Sequence, residues 1–260
     1  MPWELLAQYL KLPVFALVAS RIGGLLMWQP LLGALSIPYT LRAMLVLALA
    51  ALLTPLVSLP ANAQDTPLGI ALAMGQEVLL GGLIGLVSTA CFIGMQMGGL
   101  LIAQESGIAF GQIVDPSTDE QETVLGVLYL QLAAVVFLIV GGHRAIVCAC
   151  LDTFETIPLL GDNQATLLGT DVICRALTLS AQLAFRIATP TLLVLFLVNL
   201  AMGLVSRTMP QLNILAVGFS LKALIAFVLM AVSIPSAADA FVGALQTTCA
   251  WLDELIGVQH

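Results

Sequence analysis

Charge is what this sequence has least of. Only 9% of its 260 residues are Asp, Glu, Lys or Arg, whereas a soluble domain carries about a quarter. A surface that faces water on all sides cannot be built from so few, so most of the exterior must meet lipid or equally apolar subunits. Basic residues are scarcest: eight Lys and Arg stand singly against fifteen Asp and Glu, for a net charge of −7. No basic stripe exists, which excludes nucleic acid as a partner on electrostatic grounds. Nor is there a polybasic cluster to grip anionic headgroups.

Chemistry-bearing motifs are missing too. The two histidines, His143 and His260, have no carboxylate or cysteine spaced to complete a metal set. The five cysteines, Cys91, Cys148, Cys150, Cys174 and Cys249, offer no disulfide or zinc spacing and are expected to be buried small hydrophobes. No Gly-x-Ser-x-Gly, His-Glu-x-x-His or phosphate loop occurs, so neither an enzyme nor a cofactor is expected. The N-terminus, with Glu4 and no basic head, does not read as a removable signal, and the first helix is expected to stay.

What the chain does have is apolar length. Mean hydropathy is +1.07, and six apolar stretches stand out at roughly 12–35, 43–60, 70–103, 123–141, 172–205 and 211–238. All are too long for barrel strands and lack inside–outside alternation, so they predict helices. Turn-forming residues separate them: Ser36-Ile37-Pro38, Pro60 to Pro67, Gly141-Gly142, Gly161-Asp162-Asn163 and Met209-Pro210. One domain is expected. Stretches 70–103 and 172–205 each overrun the ~30 Å of hydrocarbon in a bilayer. Each must either break in two or extend beyond the membrane.

Charges inside these stretches need partners or water. Arg21 and Arg175 can snorkel to an interface. Arg186 and Lys222 lie deeper, and the expectation is that Glu77 or Glu105 serves at least one of them. Gly81 and Gly85, then Ala90, Gly94 and Gly98, and later Gly107 and Gly111 recur at four-residue spacing. Such spacing lines small residues on one helix face, where two backbones can approach closely.

Residues 104–124 break the pattern. Five of the fifteen acids fall here (Glu105, Asp115, Asp119, Glu120 and Glu122) with no base among them. Ahead of the acids stand Ile108, Phe110, Ile113 and Val114, interrupted by Gly107 and Gly111. Two readings stay open: an interhelical loop in which Ser117 or Asp115 caps the next helix, and a flexible apolar loop that lies in a lumen and must move.

Three blocks in register carry a family resemblance. The first is Gln104 to Ser117, with Gly107 and Val114-Asp115-Pro116-Ser117. The second is Gly142-His143, then Leu151-Asp152-Thr153-Phe154 and Ile157-Pro158. The third is Gly203-Leu204 through Arg207, Met209-Pro210-Gln211-Leu212-Asn213, Gly218-Phe219 and Leu221-Lys222. Their order and intervals resemble the FliR/SctT family of type III secretion export-gate proteins over essentially the whole chain. Ser220 departs from a common proline, Gly141 from asparagine and Glu105 from glutamine.

The resemblance implies an all-α fold of polytopic hydrophobic hairpins, a FliP-like part over about 1–180 followed by a FliQ-like hairpin over about 181–260. It implies packing in a helical hetero-oligomer with FliP and FliQ, with FlhB-like subunits and FlhA nearby, and unfolded polypeptides as substrates. That assembly stands in the inner membrane at the flagellar basal body, much of it raised toward the periplasm. The loop 106–122 would be a channel plug, with Gly107, Ile108, Phe110, Gly111, Ile113, Val114, Asp115 and Pro116 sealing or hinging it. Glu77, Glu105, Arg186, Arg207, Pro210, Gln211 and Lys222 would serve subunit packing. The equivalent subunit of a virulence secretion system and a small-molecule secondary transporter are the competing readings.

Overall fold

A computed structural model describes residues 12–29, 38–57, 67–109, 123–157, 159, 165–209 and 214–256. Seven helices make up nearly all of it: α1 Leu12–Trp28, α2 Tyr39–Leu53, α3 Pro67–Ser106, α4 Val124–Val140, α5 Gly142–Thr156, α6 Ala165–Thr208 and α7 Ile214–Ile256. There is no strand among the described residues. The protein is all-α and polytopic.

Local chemistry sets the helix ends. Pro38 precedes α2 in an extended conformation, and its carbonyl accepts from the N–H groups of Leu41 at 3.0 Å and Arg42 at 3.3 Å. Proline opens α3 at a position where its missing N–H costs nothing. Gly107, at φ +83°, closes α3 in the left-handed region that glycine tolerates. Gly141, at φ +75°, lets the chain turn by 67° between α4 and α5.

The two overlong stretches do not break. α3 is 40 residues, α6 is 44 and α7 is 43, so at ~1.5 Å per residue each runs roughly 60–66 Å, about twice the hydrocarbon thickness. α6 and α7 continue through Pro190 and Pro235. These three helices are long and apolar enough to cross a membrane, and α4 with α5 passes only as a bent pair. Two expected boundaries move. The stretch 12–35 yields a helix ending at Trp28, and the stretch 211–238 yields one that reaches Ile256. α5 had no counterpart among the six apolar stretches.

The chain divides into two compact units. The first comprises Met1–Ala90, Gly141–Leu177 and Gln246–His260. Its apolar core gathers Val14, Leu17, Val18 and Ile22 of α1 with Ala50 and Leu53 of α2, Ala73 of α3 and Leu159. α1 also crosses α3 with backbones in contact. A Cβ added at Gly24 would strike Val78 O, and one at Gly81 would strike Arg21 O. At Gly85 it would lie 2.7 Å from Leu25 O. Where α1 ends, Thr89 Oγ1 donates to Trp28 O and Gln29 Nε2 to Ser88 Oγ at 3.4 Å. The Gly81/Gly85 pair is thus one side of an interlocked crossing inside the chain.

The second unit comprises Cys91–Val140 and Thr178–Leu245. Here the next glycines of α3 do the same work. A Cβ at Gly94 would lie 2.9 Å from Ser180 O of α6, and one at Gly99 would lie 2.6 Å from Leu125 O of α4. Phe92 meets Phe137 of α4 and Phe241 of α7 edge to face, at 5.2 and 5.3 Å between ring centroids. Tyr129 Oη and Ser233 Oγ are 3.1 Å apart, tying α4 to α7. Because Phe92 is 2% exposed, Phe92→Ala is expected to cost about 3–5 kcal/mol, read as a lowered unfolding temperature in detergent. Phe92→Leu keeps apolar bulk but loses the ring contacts and should cost clearly less, and a leucine variant as stable as the parent would show that ring contacts do not matter.

The cysteines divide as well. Cys91 and Cys150 are buried, but Cys148 and Cys174 are exposed and Cys249 is half-buried, and none of the five forms a disulfide. The expectation of five buried cysteines fails for those on the outward faces of α5 and α6.

Candidate functional site

Among the described residues the largest fully buried side chain is a charged one. Arg21 of α1 is 0% exposed and Glu77 of α3 is 3%. Arg21 Nε lies 2.5 Å from Glu77 Oε2. Arg21 does more than neutralise the acid. Its Nη1 donates to Thr153 O at 3.0 Å and Thr153 Oγ1 at 3.2 Å, and its Nη2 donates to Ile157 O at 3.1 Å. Those carbonyls stand at the C-terminal end of α5, where the dipole favours a cation, and Thr153 O also accepts from the Ile157 N–H at 2.9 Å. The guanidinium also lies 4.3 Å from the centroid of Phe154. One planar fork thus joins α1, α3 and the end of α5, a geometry lysine cannot reproduce.

This arrangement corrects two expectations. Arg21 does not snorkel to an interface, and Glu77 is taken by Arg21 rather than by Arg186 or Lys222. Glu105 serves neither of them: exposed near the end of α3, it accepts from Asn199 Nδ2 of α6 at 2.6 Å. Among the described residues no carboxylate pairs with Arg186, Arg207 or Lys222. Arg186 and Arg207 are exposed on α6, and Lys222 of α7 is half-buried with Nζ 6.0 Å from the Phe219 ring centroid. Arg175 is exposed, pairs with Asp171 at 2.9 Å on its own helix and lies 5.3 Å from the Trp251 ring. Pro210 and Gln211 lie outside the described residues.

Of the loop residues, Gly107 and Ile108 are described and form a turn with Ala109. Phe110, Gly111, Ile113, Val114, Asp115 and Pro116 lie outside the described residues, as does Ser117. The turn is held from α3: Gly107 N–H donates to Gln104 O and Ala109 N–H to Ala103 O, both at 3.3 Å. A Cβ at Gly107 would lie 2.6 Å from Phe219 Cε1, so the α7 aromatic ring rests directly on the glycine.

Sequence reasoning did not single out Asn199 or the role of Phe219. A signal for Asn199 was present, since an amide in the middle of an apolar run needs a partner. Among the described residues no three His, Cys, Asp or Glu side chains group to hold a metal. A groove of about 520 Å³ beside Trp28 is lined by Leu79, Leu83, Leu86 and Ile173, with Gln76 and Thr170 its only polar side chains besides the indole. Long apolar helices, an internal ion pair and a tethered turn are features of a membrane scaffold. Residues 12–248 match the family described as bacterial export proteins, family 1.

The chain belongs to this family.

Similarity to individual bacterial export proteins extends over most of the chain. It is 31% identical to the flagellar biosynthetic protein FliR of Escherichia coli (strain K12), over 83% of this chain and 82% of that one. With FliR of Bacillus subtilis (strain 168) identity is 28% over 85% of each. With the Yop proteins translocation protein T of Yersinia pestis it is 27% over 74% of each. The FliR/SctT resemblance drawn from three short blocks therefore holds. As a family member with three helices long enough to span a bilayer, the chain is a membrane-embedded component of a type III export apparatus. Bacterial export proteins of this kind are structural parts of that apparatus rather than a class of enzymes.

Proposed function

We propose that the chain is a structural and gating subunit of the flagellar type III export gate. It assembles with FliP- and FliQ-like subunits, beside FlhB- and FlhA-like proteins, into the channel through which unfolded flagellar proteins cross the inner membrane. The observation that carries this reading is uncovered apolar length. Exposed apolar side chains recur on α6 from Ile173 through Phe185 and Leu197 to Leu204, roughly 47 Å at ~1.5 Å per residue against ~30 Å of hydrocarbon. Within the chain 56% of the most apolar part of α3 is buried, but only 22% of α6 and 17% of α7. Lipid cannot cover a face of that length, whereas apolar helices of sister subunits can, and they can also meet Arg186, Arg207, Pro210, Gln211 and Lys222.

In this reading residues up to about 180 form a FliP-like part and about 181–260 a FliQ-like hairpin, with much of the assembly raised toward the periplasm. Loop 106–122 closes the channel. Ile108, Phe110, Ile113 and Val114 exclude water from a narrow lumen, while Gly107 and Gly111 permit withdrawal. Asp115 and Pro116 end the apolar run. The flagellar form is favoured over the virulence form by the higher identity and coverage of the FliR relatives.

Expressed with FliP- and FliQ-like proteins, the chain is expected to co-purify with both from mild detergent. Serine at Ile108, Phe110, Ile113 and Val114 together should leave that complex intact and let ions leak through it. A chain recovered alone would overturn the assembly, and unchanged ion permeability would overturn the plug.

A further inference from the structure

We propose that one stripe of α6, running from Arg186 through Pro190, Leu193, Leu197, Leu200 and Leu204 to Arg207, is a docking seam for a single helix of a sister subunit. That helix is apolar over about twenty residues, to match the stripe, and carries a carboxylate near each end of the run. The seam rests on the assembly given above and adds to it which face is covered, and by what chemistry.

The stripe is regular. Steps of four and three residues alternate along it, so Arg186, Leu193, Leu200 and Arg207 share one heptad position and Pro190, Leu197 and Leu204 the other. All seven face outward, and the four leucines are 53–67% exposed, whereas Leu195 of the same helix is fully buried. Such a leucine ridge is one half of a knobs-into-holes contact, which a second helix completes at a crossing angle of ~20°. Between the arginines, residues 187–206 hold no charge. Hydroxyls on this stretch bond within the helix: Thr189 Oγ1 donates to Phe185 O at 2.5 Å and Ser206 Oγ to Gly203 O at 2.7 Å. The guanidinium groups differ, since among the described residues neither meets a carboxylate. Pro190 has no N–H for the Arg186 carbonyl four residues back, so that end of the seam offers an acceptor as well.

Arg186 and Arg207 stand roughly 31 Å apart at ~1.5 Å per residue, a span that ~30 Å of hydrocarbon would also match. Glu105 decides between lipid and protein. It is exposed, and it accepts from Asn199 of α6, which lies about 12 Å from Arg207 and so inside the charge-free run. A carboxylate at that depth in lipid is strongly disfavoured, whereas a protein neighbour can give it a donor. Half-buried Lys222 lies near the same level, because the Phe219 ring beside it rests on Gly107.

The test is photocrosslinking in cells that make the whole apparatus, read together with co-purification of the subunits. A photoreactive side chain replaces Leu193, Leu197, Leu200 or Leu204 in turn. All four should give an adduct with the same sister subunit, on one helix, advancing along it by three or four residues per step. Arg186→Glu and Arg207→Glu should each lower the recovered complex on the order of tenfold, and the two lysine variants much less. Changing the partner carboxylate beside the Leu204 adduct to lysine should restore Arg207→Glu. The substituted residues are exposed, so the amount of chain in the membrane should stay level, which separates lost docking from lost folding. Adducts scattered over several proteins overturn the seam and leave the assembly standing. So does the absence of any protein adduct from complexes that still co-purify, which would assign the face to lipid. Full recovery with both arginines reversed overturns the carboxylate-bearing partner. A chain that co-purifies with no subunit overturns seam and assembly together.

Discussion

Arg21→Met should destabilise the protein by roughly 3–5 kcal/mol, the cost of leaving a buried charge without its partner. Glu77 is 3% exposed and has no water to turn to. Removing Arg21 also takes one donor from Thr153 O, which keeps only the Ile157 N–H, and the guanidinium donor from Ile157 O just beyond α5. Glu77→Ala should fall in the same range, because it strands the guanidinium. Exchanging the two charges separates a simple ion pair from the arrangement seen here. If attraction between opposite charges were all that mattered, Arg21→Glu with Glu77→Arg would restore much of the stability. The structure predicts that it does not, since a carboxylate at 21 would face two helix carbonyls. Thermal unfolding in detergent, followed by loss of monodisperse protein, reads both effects. Full recovery in the exchanged variant would remove the capping role.

The second large effect is expected at the α1–α3 crossing. Gly81→Ala adds a methyl group where Arg21 O already stands, and Gly24→Ala adds one against Val78 O. These obstacles are backbone atoms, which cannot rotate away, so each change forces the helices apart at about 1–3 kcal/mol or more. Separation also lengthens the Arg21–Glu77 contact, so the two defects should couple when combined. Gly75 and Gly203 supply the contrast, because a Cβ at either meets nothing within 4 Å. Alanine there should be neutral or stabilising by up to ~1 kcal/mol through helix propensity. Unfolding temperatures of the four alanine variants give the comparison. Equal responses would mean that close backbone approach is not what these glycines provide.

Much of the fold was legible because hydropathy and helix length are one-dimensional properties. The apolar runs at 70–103 and 172–205 lie inside α3 and α6, and proline and glycine mark the start and end of α3. α5 escaped because Arg144, Asp152 and Glu155 dilute its fifteen residues below the level of an apolar run. The part of α7 beyond residue 238 escaped for the same reason, through Asp239, Gln246, Thr247 and Thr248. Pairings are a different kind of information. The sequence shows that Arg21 and Glu77 each need a partner, but 56 positions separate them, and charge alone cannot select among Arg21, Arg186 and Lys222. That choice is made by the glycine crossing, which carries α1 past Glu77. Glu105 was recognisable as a polar group in need of contacts. Its amide partner carried only a general signal, a polar group within an apolar run, and that does not say which residue it meets.

The discontinuity of the first unit bears on how the chain is made. Gln246–His260 belongs with Met1–Ala90, although the whole of the other unit is synthesised between them. Leu252 is buried, and Trp251 stands 5.3 Å from Arg175. During translation the start of α6 around Arg175 must therefore wait for that contact until the final turns of α7 leave the ribosome. Ribosomes stalled before codon 246 should display nascent chains in which the stretch around Arg175 remains open to protease.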